Sequence, residues 1–147
     1  MWLGLVFSWA ALVGWTEAWG ALTAPGLTLY AGTIPWVVGY DTIYALQDRE
    51  DDALVGIRSS ALRMGAQVRA GVSVCYALAL ALWGAALWEV RADPLVFAAL
   101  LPAAAHLVWQ VATLDPDDGD GALRRFRSNR FVGLLVFLAC LTVGTQL

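Results

Sequence analysis

The sequence predicts an all-α protein, a polytopic membrane bundle of five transmembrane helices. Sixty per cent of its 147 residues are hydrophobic and only 14% are charged, whereas soluble domains have about 45–50% apolar and about 25% charged residues. Five apolar stretches approach the roughly 20 residues that a helix needs to cross a bilayer. Eight tryptophans suit a chain that crosses membrane interfaces. We therefore expect the lipid bilayer as a partner. A nucleic acid is not expected, because the sequence has no basic patch with interleaved aromatic residues.

The five predicted spans are joined by connections of unequal length. In order, the spans are Trp2–Leu22, Leu27–Leu46, Val68–Trp88, Pro94–Leu114 and Phe131–Gln146. The second and fourth contain Pro35 and Pro102, which membrane helices tolerate when their neighbours bind the freed carbonyl groups. The connections after the second and fourth spans, Gln47–Gln67 and Asp115–Arg130, are predicted to be long.

The distribution of arginine predicts the orientation of the bundle. All nine basic residues are arginines, and eight of them lie in or directly beside the two long connections. Two spans separate these connections, so both lie on one side of the membrane. The excess of positive charge makes that side cytoplasmic. We expect an integral protein of a bacterial inner (plasma) membrane, with its site loops on the cytoplasmic side.

A row of acidic residues ends the second predicted span. The segment "GYDTIYALQDREDD" (39–52) places four side chains on one face if it continues as a helix, namely Asp41, Tyr44, Asp48 and Asp52. Asp41 lies within the apolar run, where a carboxylate must face protein or a water-filled cavity. Carboxylates this close repel one another, so we expect a cation to neutralise them.

Two kinds of cation are possible. Ion pairs would make the row an ordinary solvated helix end, and the candidate partners are Arg49, Arg58 and Arg63. The other candidate is Mg²⁺, which takes one or two protein carboxylates and leaves positions for phosphate oxygens. The nearby "GIRSS" (56–60) favours Mg²⁺, because a glycine turn that presents a guanidinium and two hydroxyls resembles a phosphate-binding loop. These residues alone indicate a membrane enzyme that handles a phosphorylated lipid.

The segment "YDTIYALQDREDDALVGIRSSALRMG" (40–65) also resembles a known motif. It is similar to the second Asp-rich motif of 4-hydroxybenzoate polyprenyltransferases, members of the UbiA superfamily of intramembrane aromatic prenyltransferases. Weaker similarities in residues 3–15 and 126–138 extend the resemblance over nearly the whole chain. The resemblance implies a Mg²⁺-dependent enzyme that transfers a polyprenyl group from polyprenyl diphosphate to 4-hydroxybenzoate, in ubiquinone biosynthesis.

The resemblance also implies a role for each residue of the motif. Asp41 and Asp48 match metal-binding aspartates, and Tyr44 matches a tyrosine beside the diphosphate. Arg58 replaces the usual lysine and Ser60 the usual threonine, which changes the contact geometry at these positions. The expected catalytic residues are Asp41, Tyr44, Asp48 and Arg58. The expected metal ligands are Asp41, Asp48 and Asp52. The expected diphosphate ligands are Arg58, Ser59 and Ser60.

The family's first Asp-rich motif, N-D-x-x-D, does not occur in the sequence. The single asparagine, Asn129, is followed by arginine. We therefore expect residues 1–147 to form one integral-membrane domain, the C-terminal half of a nine-helix fold whose N-terminal half is absent from this chain. Alone, it should have little or no transferase activity. Two other functions remain open: a non-catalytic partner of a separate N-terminal half, and a small membrane subunit that transports cations or protons. The carboxylates favour the enzyme, because they cluster at one end of a span instead of crossing the bilayer.

Three further features have ordinary structural interpretations. Trp9, Trp15, Trp19 and Trp36 fit an interfacial belt, with a prenyl-binding groove as the alternative. His106 is expected to be a hydrogen-bonded core residue. The acidic segment "DPDDGDG" (115–121) lacks the residue spacing of a calcium-binding loop, so we expect a flexible loop there.

Overall fold

The computed structural model describes residues 2–48, 54, 56 and 64–144. Within them the chain forms helices and turns and no β-strand. The helices are α1 (Trp2–Phe7), α2 (Trp9–Trp19), α3 (Ala24–Tyr44), α4 (Val68–Val90), α5 (Leu95–Thr113) and α6 (Gly119–Gly144). A short 3₁₀ turn, Gly65–Gln67, leads into α4. The predicted all-α class is confirmed.

Helices lie on all five predicted spans. Within the described parts of the chain, three helices (α4, α5 and α6) are long and apolar enough to cross a membrane, judged by length and composition. Helix α3 has 21 residues, and α1 and α2 together cover the first predicted span. The architecture is that of a membrane helix bundle, as predicted.

The first predicted span is broken at Ser8, a buried residue between α1 and α2. The Ser8 N–H still donates to the Gly4 carbonyl at 3.2 Å, but the Ala11 N–H bonds the Ser8 carbonyl at 3.0 Å, three residues back. The turn is thus tightened locally. Helix α2 then ends at Gly20, whose φ of 69° is the left-handed conformation that glycine adopts readily.

Helix α3 is the central element, packed against α1, α2, α4 and α6. Three of its glycines lie directly under aromatic rings from α2 and α4, at distances that leave no room for a β-carbon. The pairs are Gly26 with Trp15, Gly32 with Trp83, and Gly39 with Tyr76, where an added β-carbon would lie 2.5, 2.7 and 2.6 Å from the ring. Because glycine has no side chain, these positions on α3 let large rings fill the core between the helices.

Helix α6 begins much earlier than predicted. It starts at Gly119, so the expected long connection Asp115–Arg130 is wrong over most of its length. The loop expected at 115–121 is present at residues 115–118, but residues 119–121 are helical. The carboxylate of Asp118 explains the early start, because it accepts the Gly121 N–H at 2.8 Å and so satisfies a donor of the first turn. The polar residues 124–130 are consequently helical.

The Gly39–Tyr76 contact gives a stability prediction. Gly39→Ala should displace the Tyr76 ring, since the new β-carbon would lie 2.6 Å from ring carbon Cε1. We expect a loss of about 1–3 kcal/mol in the free energy of unfolding, measured by SDS titration in mixed micelles with circular dichroism. Gly14→Ala is the matched control, because a β-carbon there meets nothing within 4 Å. Wild-type stability in Gly39→Ala would show that the ring can move freely.

Candidate functional site at the end of α3

Asp41 and Tyr44 lie on the last turn of α3, where the helix tightens and ends. The Ala45 N–H bonds the Asp41 carbonyl at 2.9 Å, four residues back, but the next two bonds reach back only three residues. Residues 45–48 are turns. Asp41 is half-buried, and Tyr44 is 37% exposed. The end of α3 thus presents one carboxylate and one phenol close to the surface of the bundle.

The prediction that α3 continues as a helix to Asp48 is wrong, because α3 ends at Tyr44. Asp48 lies in the turn after α3, because the i to i+3 bonds at residues 46 and 47 end the α-helical geometry. Asp48 is half-buried. The other predicted ligands lie outside the described residues: Asp52, Arg58, Ser59 and Ser60. The alternative ion-pair partners Arg49 and Arg63 lie outside them as well. Among the described residues, no three acidic, histidine or cysteine side chains are grouped to hold a metal ion, so the metal set stays a prediction.

Four aromatic side chains, which we call the aromatic row, connect the end of α3 to α6. Trp36 meets Tyr40 edge to face at 5.2 Å between ring centroids. Phe126 of α6 lies against both tyrosines, 5.7 Å from Tyr40 and 4.8 Å from Tyr44. Such pairs stabilise a structure beyond their buried area. The row fixes the face of α3 that carries Tyr44 against the first turns of α6.

Gln110 of α5 is the centre of a buried polar network. Its Oε1 accepts the Tyr76 hydroxyl of α4 at 2.7 Å and the Asn129 amide of α6 at 3.3 Å. Its Nε2 donates to the Ser128 hydroxyl at 3.1 Å. Gln110 is 0% exposed and Asn129 5%. The side chains of three helices are therefore joined where no solvent can replace a lost bond.

His106 belongs to the same network. The Ser128 hydroxyl donates its one proton to the Arg125 carbonyl at 2.7 Å, so it accepts at the 3.1 Å contact with His106 Nε2. The proton of neutral His106 therefore lies on Nε2. The predicted hydrogen bond of His106 is confirmed, but the residue is half-buried and does not belong to the core. Gln110, one helical turn further along α5, was not predicted, although a polar side chain within an apolar span is itself a signal.

Two arginines near this end of the bundle tie helices together. Arg125 donates to the carbonyl and the hydroxyl of Thr113, and to the Gly121 carbonyl at 2.8 Å. Arg69 donates to the Leu114 carbonyl. These bonds link the end of α5 to the starts of α6 and α4, so both guanidiniums serve the framework of the site.

An apolar cavity of about 640 Å³ lies between α2, α3, α4 and the C-terminal half of α6. Ligand-binding cavities are typically about 300–1,000 Å³. Three of the four tryptophans considered for a groove, Trp15, Trp19 and Trp36, line the cavity, whereas Trp9 is 61% exposed. Trp36 also begins the aromatic row, so the cavity and the Asp41 end of α3 meet at this residue.

Comparison with known proteins identifies the family. The sequence model of the UbiA prenyltransferase family matches residues 1–141 of the chain. This protein belongs to the UbiA prenyltransferase family. The resemblance carried by residues 40–65 is thereby confirmed, and the matched region includes Asp41 and Tyr44.

Curated members of the UbiA family show how much of a relative the chain represents. It is 38% identical over 146 residues to the mitochondrial 4-hydroxybenzoate polyprenyltransferase of Drosophila melanogaster, covering 99% of this chain and 37% of that protein. The Homo sapiens protein of the same name is 41% identical over 140 residues, 92% of this chain and 37% of that protein. The Arabidopsis thaliana protein of that name is 39% identical over 143 residues, which cover 92% of this chain and 33% of that protein. The chain thus spans little more than a third of these relatives. The comparison with solved structures finds no match.

The polar network of this UbiA-family chain gives a second stability prediction. Gln110→Leu should leave the Tyr76 hydroxyl without its acceptor and remove one of the three acceptors of the Asn129 amide, at a cost of about 1–3 kcal/mol for the unsatisfied buried hydroxyl. Thermal unfolding in detergent should show a clearly lowered Tm. Thr142→Val is the control, because Thr142 is exposed and its hydroxyl bonds a carbonyl of its own helix at 2.7 Å. Equal Tm values for the two variants would contradict the network's structural role.

Proposed function

We propose that this chain supplies one part of an enzyme that transfers a polyprenyl group from polyprenyl diphosphate to 4-hydroxybenzoate. The observation that supports this most is the junction at Trp36. On one side is an apolar cavity of about 640 Å³, and on the other the aromatic row leads to Tyr44 on the turn of α3 that carries Asp41. A substrate with a long apolar tail and a diphosphate head matches these two environments.

The diphosphate head would bind with Mg²⁺ at the Asp41 end of α3. Carboxylate oxygens are ligands that Mg²⁺ prefers, and half-buried Asp41 offers them on the last turn of α3. Asp48 and Asp52 are the further proposed ligands of the metal. Arg58, Ser59 and Ser60 are proposed to bind the phosphate oxygens. When bound, the metal supplies positive charge that stabilises the departing diphosphate.

The prenyl tail would occupy the apolar cavity. Its walls come from four helices and include Trp15, Trp36, Trp83 and Phe137. The tail is apolar and so is the lipid, so the tail prefers the cavity only where its atoms pack closely against the walls. Close packing would therefore decide which chain length binds. The cavity in this chain is a candidate for the innermost part of such a binding site.

The proposed reaction breaks the allylic C–O bond, and its electron pair leaves with the diphosphate. The ring carbon ortho to the phenol of 4-hydroxybenzoate then forms the new C–C bond and loses its proton. Asp41 would hold the metal, Tyr44 would lie beside the diphosphate, and Arg58 would stabilise the charge that grows on the leaving group. Such preorganised charges contribute most when water is excluded.

The rest of the site is proposed to come from residues outside this sequence. The chain spans 37% of its Drosophila relative, and N-D-x-x-D, the pattern expected for a second metal, does not occur in it. A separate N-terminal half would then be the partner of this chain.

We further propose a bacterial inner membrane as the location, with the Asp41 end on the cytoplasmic side. The relatives, by contrast, are named as mitochondrial proteins.

A reconstituted transferase assay tests this proposal. The purified chain alone should form little or no prenylated 4-hydroxybenzoate. Co-expression with a segment of a relative that carries N-D-x-x-D should produce Mg²⁺-dependent activity. Asp41→Asn should lower that activity by about 100-fold or more, with membrane insertion unchanged.

The control for this assay is Asp93→Asn at the opposite end of the bundle. Asp93 accepts the Leu95 N–H at 2.9 Å and an Arg91 guanidinium hydrogen at 2.8 Å. These bonds hold the pKa of Asp93 below its ordinary value. Asp93→Asn therefore removes a carboxylate by the same substitution as Asp41→Asn, but away from the proposed site. Unchanged turnover in Asp41→Asn would remove Asp41 from the site. Robust activity from the chain alone would disprove the need for a second half.

A further inference from the structure

Trp36 is the one residue of the described chain that joins the cavity, the aromatic row and the polar network. Its ring lines the cavity and lies 5.2 Å from Tyr40 and 5.7 Å from Trp83. Its indole N–H donates to Asn129 Oδ1 at 2.9 Å. This single bond connects α3 to a network that otherwise contains side chains of α4, α5 and α6 only.

Asn129 can accept this bond in one orientation only. Its Nδ2 donates to Gln110 Oε1 at 3.3 Å and to the carbonyls of Arg125 at 3.1 Å and Phe126 at 3.3 Å. Rotating the amide by half a turn would place Nδ2 against the indole N–H, two donors without an acceptor. The three carbonyl acceptors therefore fix the orientation of the Asn129 amide, and the amide oxygen fixes the position of the Trp36 indole.

We propose that Asn129 is a positioning residue for the site: through Oδ1 it holds the Trp36 indole at the junction of the cavity and the aromatic row. This inference rests on the proposed function, because the junction matters only if a tail lies in the cavity and a head at Asp41. In that case the reacting carbon, which links head and tail, lies next to Trp36. A shift of about 1 Å at a reacting centre lowers the rate by about 100-fold.

The same contacts extend the effect of Asn129 to Tyr44. Phe126 lies three residues before Asn129 on α6, and its carbonyl accepts the Asn129 amide. Its ring packs against Tyr44 at 4.8 Å. Asn129 thus contacts two residues of the aromatic row, Trp36 through its side-chain oxygen and the backbone carbonyl of Phe126 through its amide nitrogen.

The first experiment observes the indole directly. Nitrogen-15 labelling of tryptophan in detergent-solubilised protein gives one indole N–H resonance per ring, and Trp36→Phe identifies the resonance of Trp36. Asn129→Leu keeps the branching of the side chain at Cγ and removes the acceptor, so this resonance should move upfield. Asn129→Asp keeps an acceptor for the indole. Burial favours the neutral form of the introduced carboxyl, whose O–H can donate to one of the carbonyls that Nδ2 contacts in the wild type, so the resonance should stay near its wild-type position. Thr142→Val, on the same helix, should change nothing.

The second experiment asks whether the indole carries the effect on ligand binding. Farnesyl thiodiphosphate with MgCl₂ is the probe. Its Kd is measured on the chain co-expressed with the N-D-x-x-D segment, for the wild type, Asn129→Leu, Trp36→Phe and the double variant. Loss of one buried hydrogen bond predicts that each single substitution weakens binding about tenfold. If Asn129 acts through Trp36, the double variant is also weakened only about tenfold. Asn129→Asp should retain affinity within about threefold of the wild type, which separates positioning from a folding defect.

The outcomes separate this inference from the proposed function. An unshifted Trp36 resonance in Asn129→Leu overturns the positioning itself, and so does a double variant weakened about a hundredfold, because the two effects are then independent. If the wild-type chain binds no probe even with the co-expressed N-D-x-x-D segment, while the resonance in Asn129→Leu is shifted, the proposed function and the role of the junction in it are overturned. The predicted pair of results is a shifted resonance and non-additive affinities.

Discussion

The acceptor oxygen of Gln110 is the point on which the described structure depends most. It receives donors from α4 and α6 at a fully buried position, and the Trp36–Asn129 bond adds α3. Inside a membrane bundle an unsatisfied polar group is expensive, and an alternative helix arrangement would leave several of them. Apolar packing against lipid-like surfaces gives little preference for one arrangement over another, so the polar network specifies which helix faces meet.

The candidate site follows from that arrangement. Once α3 and α6 are fixed, Phe126 lies between Tyr40 and Tyr44, and the end of α3 presents Asp41 near the surface. The same helices leave an apolar cavity on the other side of Trp36. The Trp36 side chain therefore connects the cavity with the aromatic row at the end of α3, and the proposed substrate has an apolar part and a charged part that match these two environments.

Hydropathy was enough to predict the all-α membrane bundle and the approximate spans, because a helix in lipid must satisfy its own backbone and so shows its length in the sequence. The motif around Asp41 was enough to predict the family. The rest depends on tertiary contacts that leave weaker signals. The start of α6 at Gly119 depends on one aspartate cap, and the end of α3 at Tyr44 on a change of hydrogen-bond spacing. The partners of Gln110 come from helices far apart in sequence, so the residue could be noticed but its network could not be predicted.

The most direct test of the account is to map the position of a prenyl diphosphate tail in the protein. A polyprenyl diphosphate analogue with a diazirine in its tail would be cross-linked with and without Mg²⁺, and the adducts mapped by mass spectrometry. The account predicts adducts on cavity residues such as Trp36, Val136 and Phe137, strongly reduced without Mg²⁺ and in Asp41→Asn. Adducts confined to exposed residues of α5 such as Leu101 and Val108, or labelling of the cavity that is independent of both Mg²⁺ and Asp41, would contradict it.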